Sequence, residues 1–217
     1  MPEYSSIEEL WNKYVCDNRL AKNFLERHRC LSVASLREFA EKYEKNKRGS
    51  EGGAKFSERV FSYWIAKELF EYDASSRVRI HDNREIRLHD KTTVDKRIDF
   101  SFQRGSGPRV YIEFKCNIDM VEKDLFKFYL MKRNKCEIVT SIFIWERSDR
   151  WEYAKGGRSQ YARLLEDTQA HGFLDEYFYF PIYDRNEEHI VDGRIKEEIT
   201  KFCKFLHDPL PRRQRRP

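Results

Sequence analysis

Arg97-Ile98-Asp99-Phe100-Ser101-Phe102-Gln103 and Arg109-Val110-Tyr111-Ile112-Glu113-Phe114-Lys115 decide how this chain folds. Both stretches alternate polar and apolar residues with a period of two, the mark of strands with one dry and one polar face. Arg104-Gly105-Ser106-Gly107-Pro108 between them is turn chemistry, so the pair reads as an antiparallel hairpin. Side chains two apart on a strand point the same way. The spacing predicts Arg97, Asp99, Ser101 and Gln103 on one face of the first strand, with Ile98, Phe100 and Phe102 on the other. On the second strand it groups Arg109, Tyr111, Glu113 and Lys115 opposite Val110, Ile112, Phe114 and Cys116.

The flanks extend this core. Phe56, Val60, Phe61, Trp64, Ile65, Leu69 and Phe70 recur at three- and four-residue steps and predict a helix over Lys55–Tyr72. Alternation resumes in Arg77–Ile80 and Arg84–Leu88. After the hairpin, Asp119–Arg133 reads as a helix and Cys136–Trp145 as a strand covered on both faces. Helix, antiparallel strands, helix and buried strand together predict an α/β fold with a central mixed sheet flanked by helices.

Additions surround that core. Ser6-Ile7-Glu8-Glu9 and Ser35-Leu36-Arg37-Glu38 fit the S-x-x-E capping box, so helices are expected near 6–15 and 35–46, with another over 18–29. Lys47–Gly53 breaks the pattern, as a linker or as a flexible loop beside a binding surface. A charged loop at 146–157 precedes a helix over Ser159–Ala170, an aromatic strand over Tyr177–Tyr183 broken by Pro181, and a helix over Arg194–His207. The division is a helical addition at 1–52, a core at 53–146, a mixed α/β addition at 147–208 and a disordered basic tail at 209–217.

The chain has 217 residues, 40% hydrophobic, 15% aromatic and 36% charged, with formal net charge +5. That is material for one ordinary core, and it excludes disorder for most of the chain. No run reaches the roughly 18 apolar residues of a membrane span, and Met1-Pro2-Glu3-Tyr4 lacks the order of a signal peptide, so a soluble, cytoplasmic protein is expected. Five cysteines, at 16, 30, 116, 136 and 203, include no C-x-x-C pair and read as free thiols in a reducing compartment. The mild positive charge permits a nucleic-acid partner without requiring one.

Two carboxylates and a lysine thus share one face of a hairpin. Asp99 and Glu113 can converge across it within the few ångströms that let two carboxylates hold one divalent ion. The plain alternative is ordinary charge on the wet face of a sheet. Glu113-Phe114-Lys115 is the single [DE]-x-K triplet in the chain, and it lies on an apolar-backed strand before a helix and a buried strand.

These segments resemble the PD-(D/E)XK nuclease superfamily, with its restriction-endonuclease-like core. The resemblance spans roughly residues 53–146 and rests on Gly53-Ala54-Lys55-Phe56-Ser57-Glu58-Arg59, Arg97-Ile98-Asp99-Phe100 and Tyr111-Ile112-Glu113-Phe114-Lys115. The first is similar to the helix start of Holliday-junction resolvases; Ile98 stands where the family's proline would be. The resemblance implies that Asp99, Glu113 and the carbonyl of Phe114 hold Mg²⁺, with Mn²⁺ able to substitute and no organic cofactor. It implies that Lys115 orients the attacking water or stabilises transition-state charge, and that Glu58 serves a second metal or an outer water. Glu68, on the same helix face as Glu58, and Asp95, on the same strand face as Asp99, are the alternatives.

The further expectation is a site-specific DNA endonuclease similar to type II restriction enzymes, hydrolysing phosphodiester bonds in double-stranded DNA. One site cuts one strand, so cutting both suggests a homodimer. Lys155, Arg158, Gln160 and Arg163 are candidate base readers, since Arg pairs with guanine and Gln with adenine; otherwise they belong to a solvated loop and helix start. Lys47 and Arg48 are candidate phosphate contacts. A structure-specific or repair nuclease, and a noncatalytic DNA-binding protein on a nuclease fold, are the competing readings.

Overall fold

The computed structural model describes residues 3–87, 93–134, 138–146, 159–182 and 188–209. Six strands form one sheet in chain order: β1 (Glu3–Tyr4), β2 (Arg77–Arg87), β3 (Thr93–Gln103), β4 (Val110–Lys115), β5 (Val139–Glu146) and β6 (Glu176–Pro181). β1 to β4 pair antiparallel, whereas β4, β5 and β6 run parallel. The connections dictate this change. The short turn at 104–109 returns the chain antiparallel from β3 to β4, while the parallel pairs are joined through helices α5 (Glu122–Asn134) and α6 (Gln160–Ala170). The chain is therefore α/β, with a mixed sheet between helices.

Two apolar clusters sandwich the sheet. In the larger, Phe100, Ile112, Phe114 and Phe143 pack against α2 (Arg19–Leu25), α3 (Val33–Asn46), α4 (Gly53–Tyr72) and α7 (Glu188–His207). In the smaller, Ile98, Tyr111 and Ile142 meet Leu125 and Phe128 of α5 and Leu165 of α6. β5 is buried at every position because both clusters close over it. Trp145 is a core residue, its ring edge-on to Phe39 and Tyr43 at 4.9 and 4.7 Å.

Local chemistry sets the helix starts. Ser6 caps α1 (Ile7–Leu10) by accepting the Glu9 N–H at 3.1 Å, and a π turn, Trp11–Val15, continues that helix. The capping box expected at Ser35 begins instead at Ser32: α3 starts at Val33, and the Ser35 hydroxyl accepts the Ser32 N–H at 2.8 Å. A serine upstream satisfies the same orphan N–H groups, so the helix gains nearly a turn. Lys47–Gly53 is a tight connection, exposed over its first four residues and buried at Gly52 and Gly53, in which Asn18 Nδ2 donates to Glu51 O at 2.7 Å. A Cβ at Gly52 would stand 1.7 Å from Asn46 O, and Gly53 takes φ 55°.

Strict alternation breaks at one point, where β2 faces β3. The pairing runs to Ile80↔Phe100 and resumes at Asp82↔Ile98, omitting His81 and Asp99. His81 has φ 53°, in the left-handed region that a residue with a Cβ rarely adopts. The faces reverse there: Phe100 and Phe102 pack in the larger cluster, but Ile98 packs in the smaller one beside Tyr111. The expectation that Ile98 shares a face with Phe100 is thereby corrected.

Among the described residues no helix is long and apolar enough to cross a membrane. Cys16, Cys30, Cys116 and Cys203 are free. The loop at 147–157, with Lys155, and the tail at 210–217 lie outside the described residues, as does Arg158.

Candidate functional site

β3 and β4 part at a defined step. Their pairing ends at Phe100↔Ile112, and beyond it the Asp99 carboxylate takes the role of a ladder carbonyl, Oδ2 accepting the Phe114 N–H at 3.0 Å. Asp99 is thereby fixed beside the Glu113-Phe114-Lys115 backbone. Glu113 and Lys115 lie on the β4 face covered by α5, where Glu113 is only 2% exposed.

Two α5 side chains that sequence reasoning missed complete this cluster. Lys127 Nζ pairs with Glu113 Oε1, stands 3.0 Å from Asp124 Oδ1 and donates to Arg97 O at 3.0 Å. Lys115 Nζ lies 2.8 Å from Asp124 Oδ2 and 3.8 Å from Glu113 Oε2. Burial first, then the charges of Asp99 and Asp124, push the Glu113 pKa well above the usual carboxylate range, against the pull of Lys127 and Lys115. Burial opposes charge on both lysines, yet the neighbouring carboxylates prevail. Asp124 and Glu113 hold the Lys115 pKa above its ordinary value, and the same two acids do so for Lys127.

Glu58 approaches from the other side of the sheet. Its Oε2 lies 2.7 Å from His81 Nε2, and its Oε1 lies 3.6 Å from an Arg97 guanidinium nitrogen. The reversal at His81 and Asp99 puts Arg97 within reach of α4, and no pattern in the sequence announces it. Glu68 follows Glu58 by ten residues, about 15 Å along the helix axis, and is bound to His207 Nε2 at 2.8 Å. Of the two α4 acids, Glu58 is the one at the β2–β3 kink.

Gln160 and Arg163 are exposed at the start of α6, Arg48 is exposed, and Lys47 is paired with Glu44 at 2.8 Å. The Asp95 side chain lies outside the described residues. A signal for Asp124 and Lys127 was present in their three-residue spacing, which places acid and base on one face of α5.

Three carboxylates, Asp99, Glu113 and Asp124, face two ammonium groups, and the like charges of Asp99 and Asp124 act on a buried Glu113. Among the described residues no three His, Cys, Asp or Glu side chains form a ready cage for a metal ion; the lysines lie against the Glu113 and Asp124 oxygens instead. The donor chemistry still fits Mg²⁺, which takes hard oxygen ligands from only one or two carboxylates and keeps waters for the rest. The chain matches no family model, and no curated protein matches it significantly.

Proposed function

We propose that this chain is a Mg²⁺-dependent endonuclease that hydrolyses phosphodiester bonds in double-stranded DNA, with a core of the PD-(D/E)XK, restriction-endonuclease-like kind. The observation that carries this reading is the meeting of Asp99, Glu113 and Lys115 where β3 and β4 part, with Asp99 anchored on the Phe114 amide. A wet sheet face would leave these groups solvated, whereas Glu113 is buried among like charges.

Asp99, Glu113 and the carbonyl of Phe114 would hold Mg²⁺, which supplies neutralisation of phosphate charge and a lowered water pKa when bound. The chain's own groups do the rest. Lys115, its ammonium braced by Asp124, offers a fixed positive charge to the negative charge that grows on the phosphate oxygens as water attacks phosphorus. Lys127 holds Glu113 in place through Oε1. Glu58, steadied by His81, supplies a carboxylate on the far side of Asp99. Cleavage of both strands calls for two copies of the chain, which supports a homodimer as the working form.

A structure-specific nuclease uses the same centre, and the Gly53 to Glu58-Arg59 start of α4 favours it. Digestion of long linear duplex and of a four-way junction with Mg²⁺, beside an EDTA control, separates the two. Discrete bands from linear duplex, lost in Asp99→Ala and Lys115→Ala while DNA binding persists, are the expected result. Cleavage of the junction alone would establish the structure-specific reading. Two intact substrates would leave a noncatalytic DNA-binding protein, and retained turnover in either variant would sink the assigned centre.

A further inference from the structure

β2 and β3 run on together after β3 has left β4. Their pairing continues through Asp82↔Ile98, Asn83↔Arg97, Arg84↔Lys96, Glu85↔Asp95 and Ile86↔Val94 to Arg87↔Thr93. By contrast, β4 pairs with β3 only over Phe100–Phe102, and β1 pairs with β2 only at Val78 and Arg79. From Asp99 to Thr93, about 20 Å, the two strands therefore form a ribbon with no third strand beside it among the described residues. Lys127 Nζ props its base by donating to Arg97 O at 3.0 Å.

The first rungs of the ribbon differ in what they face. Asp82 and Ile98 are buried, and Asp82 Oδ2 accepts the Ser101 hydroxyl at 2.7 Å. The next rung lies on the opposite face and is exposed. No hydrogen bond ties the Asn83 side chain to another described residue, and asparagine is depleted within strands, so folding alone gives no reason for it here. Its partner Arg97 has a side chain 55% exposed, whose 3.6 Å approach to Glu58 Oε1 is too long for a hydrogen bond. Along 83–87 and 93–97 the ribbon carries Arg84, Arg87, Lys96 and Arg97 against Glu85 and Asp95, a net positive charge that suits a polyanion. The major groove of duplex DNA admits a two-stranded ribbon, and there asparagine pairs with adenine and arginine with guanine. The Asn83↔Arg97 rung is two residues from Asp99, about 7 Å, or two base steps at about 3.4 Å each.

We infer that the β2–β3 ribbon is the base-reading arm of this centre, entering the major groove beside the scissile phosphate, with Asn83 contacting an adenine and Arg97 a guanine. The inference rests on the nuclease reading and gives it a source of sequence specificity. It moves base recognition from Gln160 and Arg163 on α6 to the strands that carry Asp99.

Asn83→Ala removes only an unbonded amide. The test digests a long duplex of mixed sequence with Mg²⁺, using the wild type and Asn83→Ala, and sequences the fragment ends. End preference is a ratio between sites, so it reads base contact and not the amount of folded protein. The expected result is an adenine preferred within about two base pairs of the wild-type cut, with that preference reduced roughly tenfold in the variant and other positions held. Identical end preferences in the two proteins, or wild-type ends with no preference, would overturn the ribbon as reader and leave the nuclease standing. A uniform loss of cleavage at unchanged preference would do the same, marking Asn83 as a phosphate contact. Cleavage of a four-way junction alone would also overturn the reader. If the wild type cuts neither substrate, the nuclease reading falls and takes this inference with it.

Discussion

Lys115 Nζ stands 2.8 Å from Asp124 Oδ2, nearer than to Glu113 Oε2 of its own strand at 3.8 Å. The lysine of the triplet is therefore positioned from α5, and the same aspartate holds Lys127, the partner of Glu113. Asp124 is 4% exposed, so its charge acts in a poorly screened setting.

Asp124→Asn should reduce DNA cleavage by at least tenfold and lower stability by about 3–5 kcal/mol, the range for a broken buried ion pair. Urea unfolding and single-turnover cleavage check the two effects separately. Undiminished cleavage would show that Lys115 needs no brace.

Glu113 carries a pH signature of definite sign. Its folded pKa lies above the unfolded carboxylate value of about 4.3, so the folded chain binds this proton more tightly than the unfolded chain does. The stability it contributes is complete below the unfolded pKa and is lost as pH rises through the folded one. In EDTA, the urea midpoint of the wild type should fall relative to Glu113→Gln across that window. Parallel midpoints for the two proteins would remove Glu113 as the titrating group.

His81 separates strain from bonding. At φ 53°, His81→Gly sheds both the Glu58 contact and the left-handed strain, whereas His81→Ala sheds only the contact. The glycine variant should be more stable than the alanine variant by about 1 kcal/mol. Equal stabilities would show that the kink stores no strain.

The cysteines should differ in reactivity. Burial, followed by the neighbouring Glu68, pushes the Cys203 thiol up to about 11, whereas Cys30 is exposed. At pH 8 about one in a thousand Cys203 side chains would be thiolate. Iodoacetamide mapped by mass spectrometry should therefore mark Cys30 well before Cys203; the reverse order would contradict this placement of α7 on α4.

Much of the architecture was legible in local pattern. Period-two alternation marked the hairpin at 97–115, three- and four-residue steps marked α4, and a β-branched, almost uninterrupted run marked β5 as covered on both faces. β1 escaped notice because two residues, Glu3 and Tyr4, carry no period and owe their strand state to pairing with Arg79 and Val78. The start of α3 shifted because two serines compete for one cap.

The sequence by itself determined the residue types at the candidate centre and the strands that carry Asp99, Glu113 and Lys115, because strand periodicity is local. Only the tertiary structure decided which groups surround them. The reversal at His81 and Asp99 brings Arg97 to Glu58, the packing of α5 on β4 brings Asp124 and Lys127 to Glu113, and the docking of the N-terminal π turn sets the Tyr14 ring against Arg59 and His81. Those meetings join residues far apart in the chain, and their energies depend on burial and on charges from other elements, which no local pattern encodes.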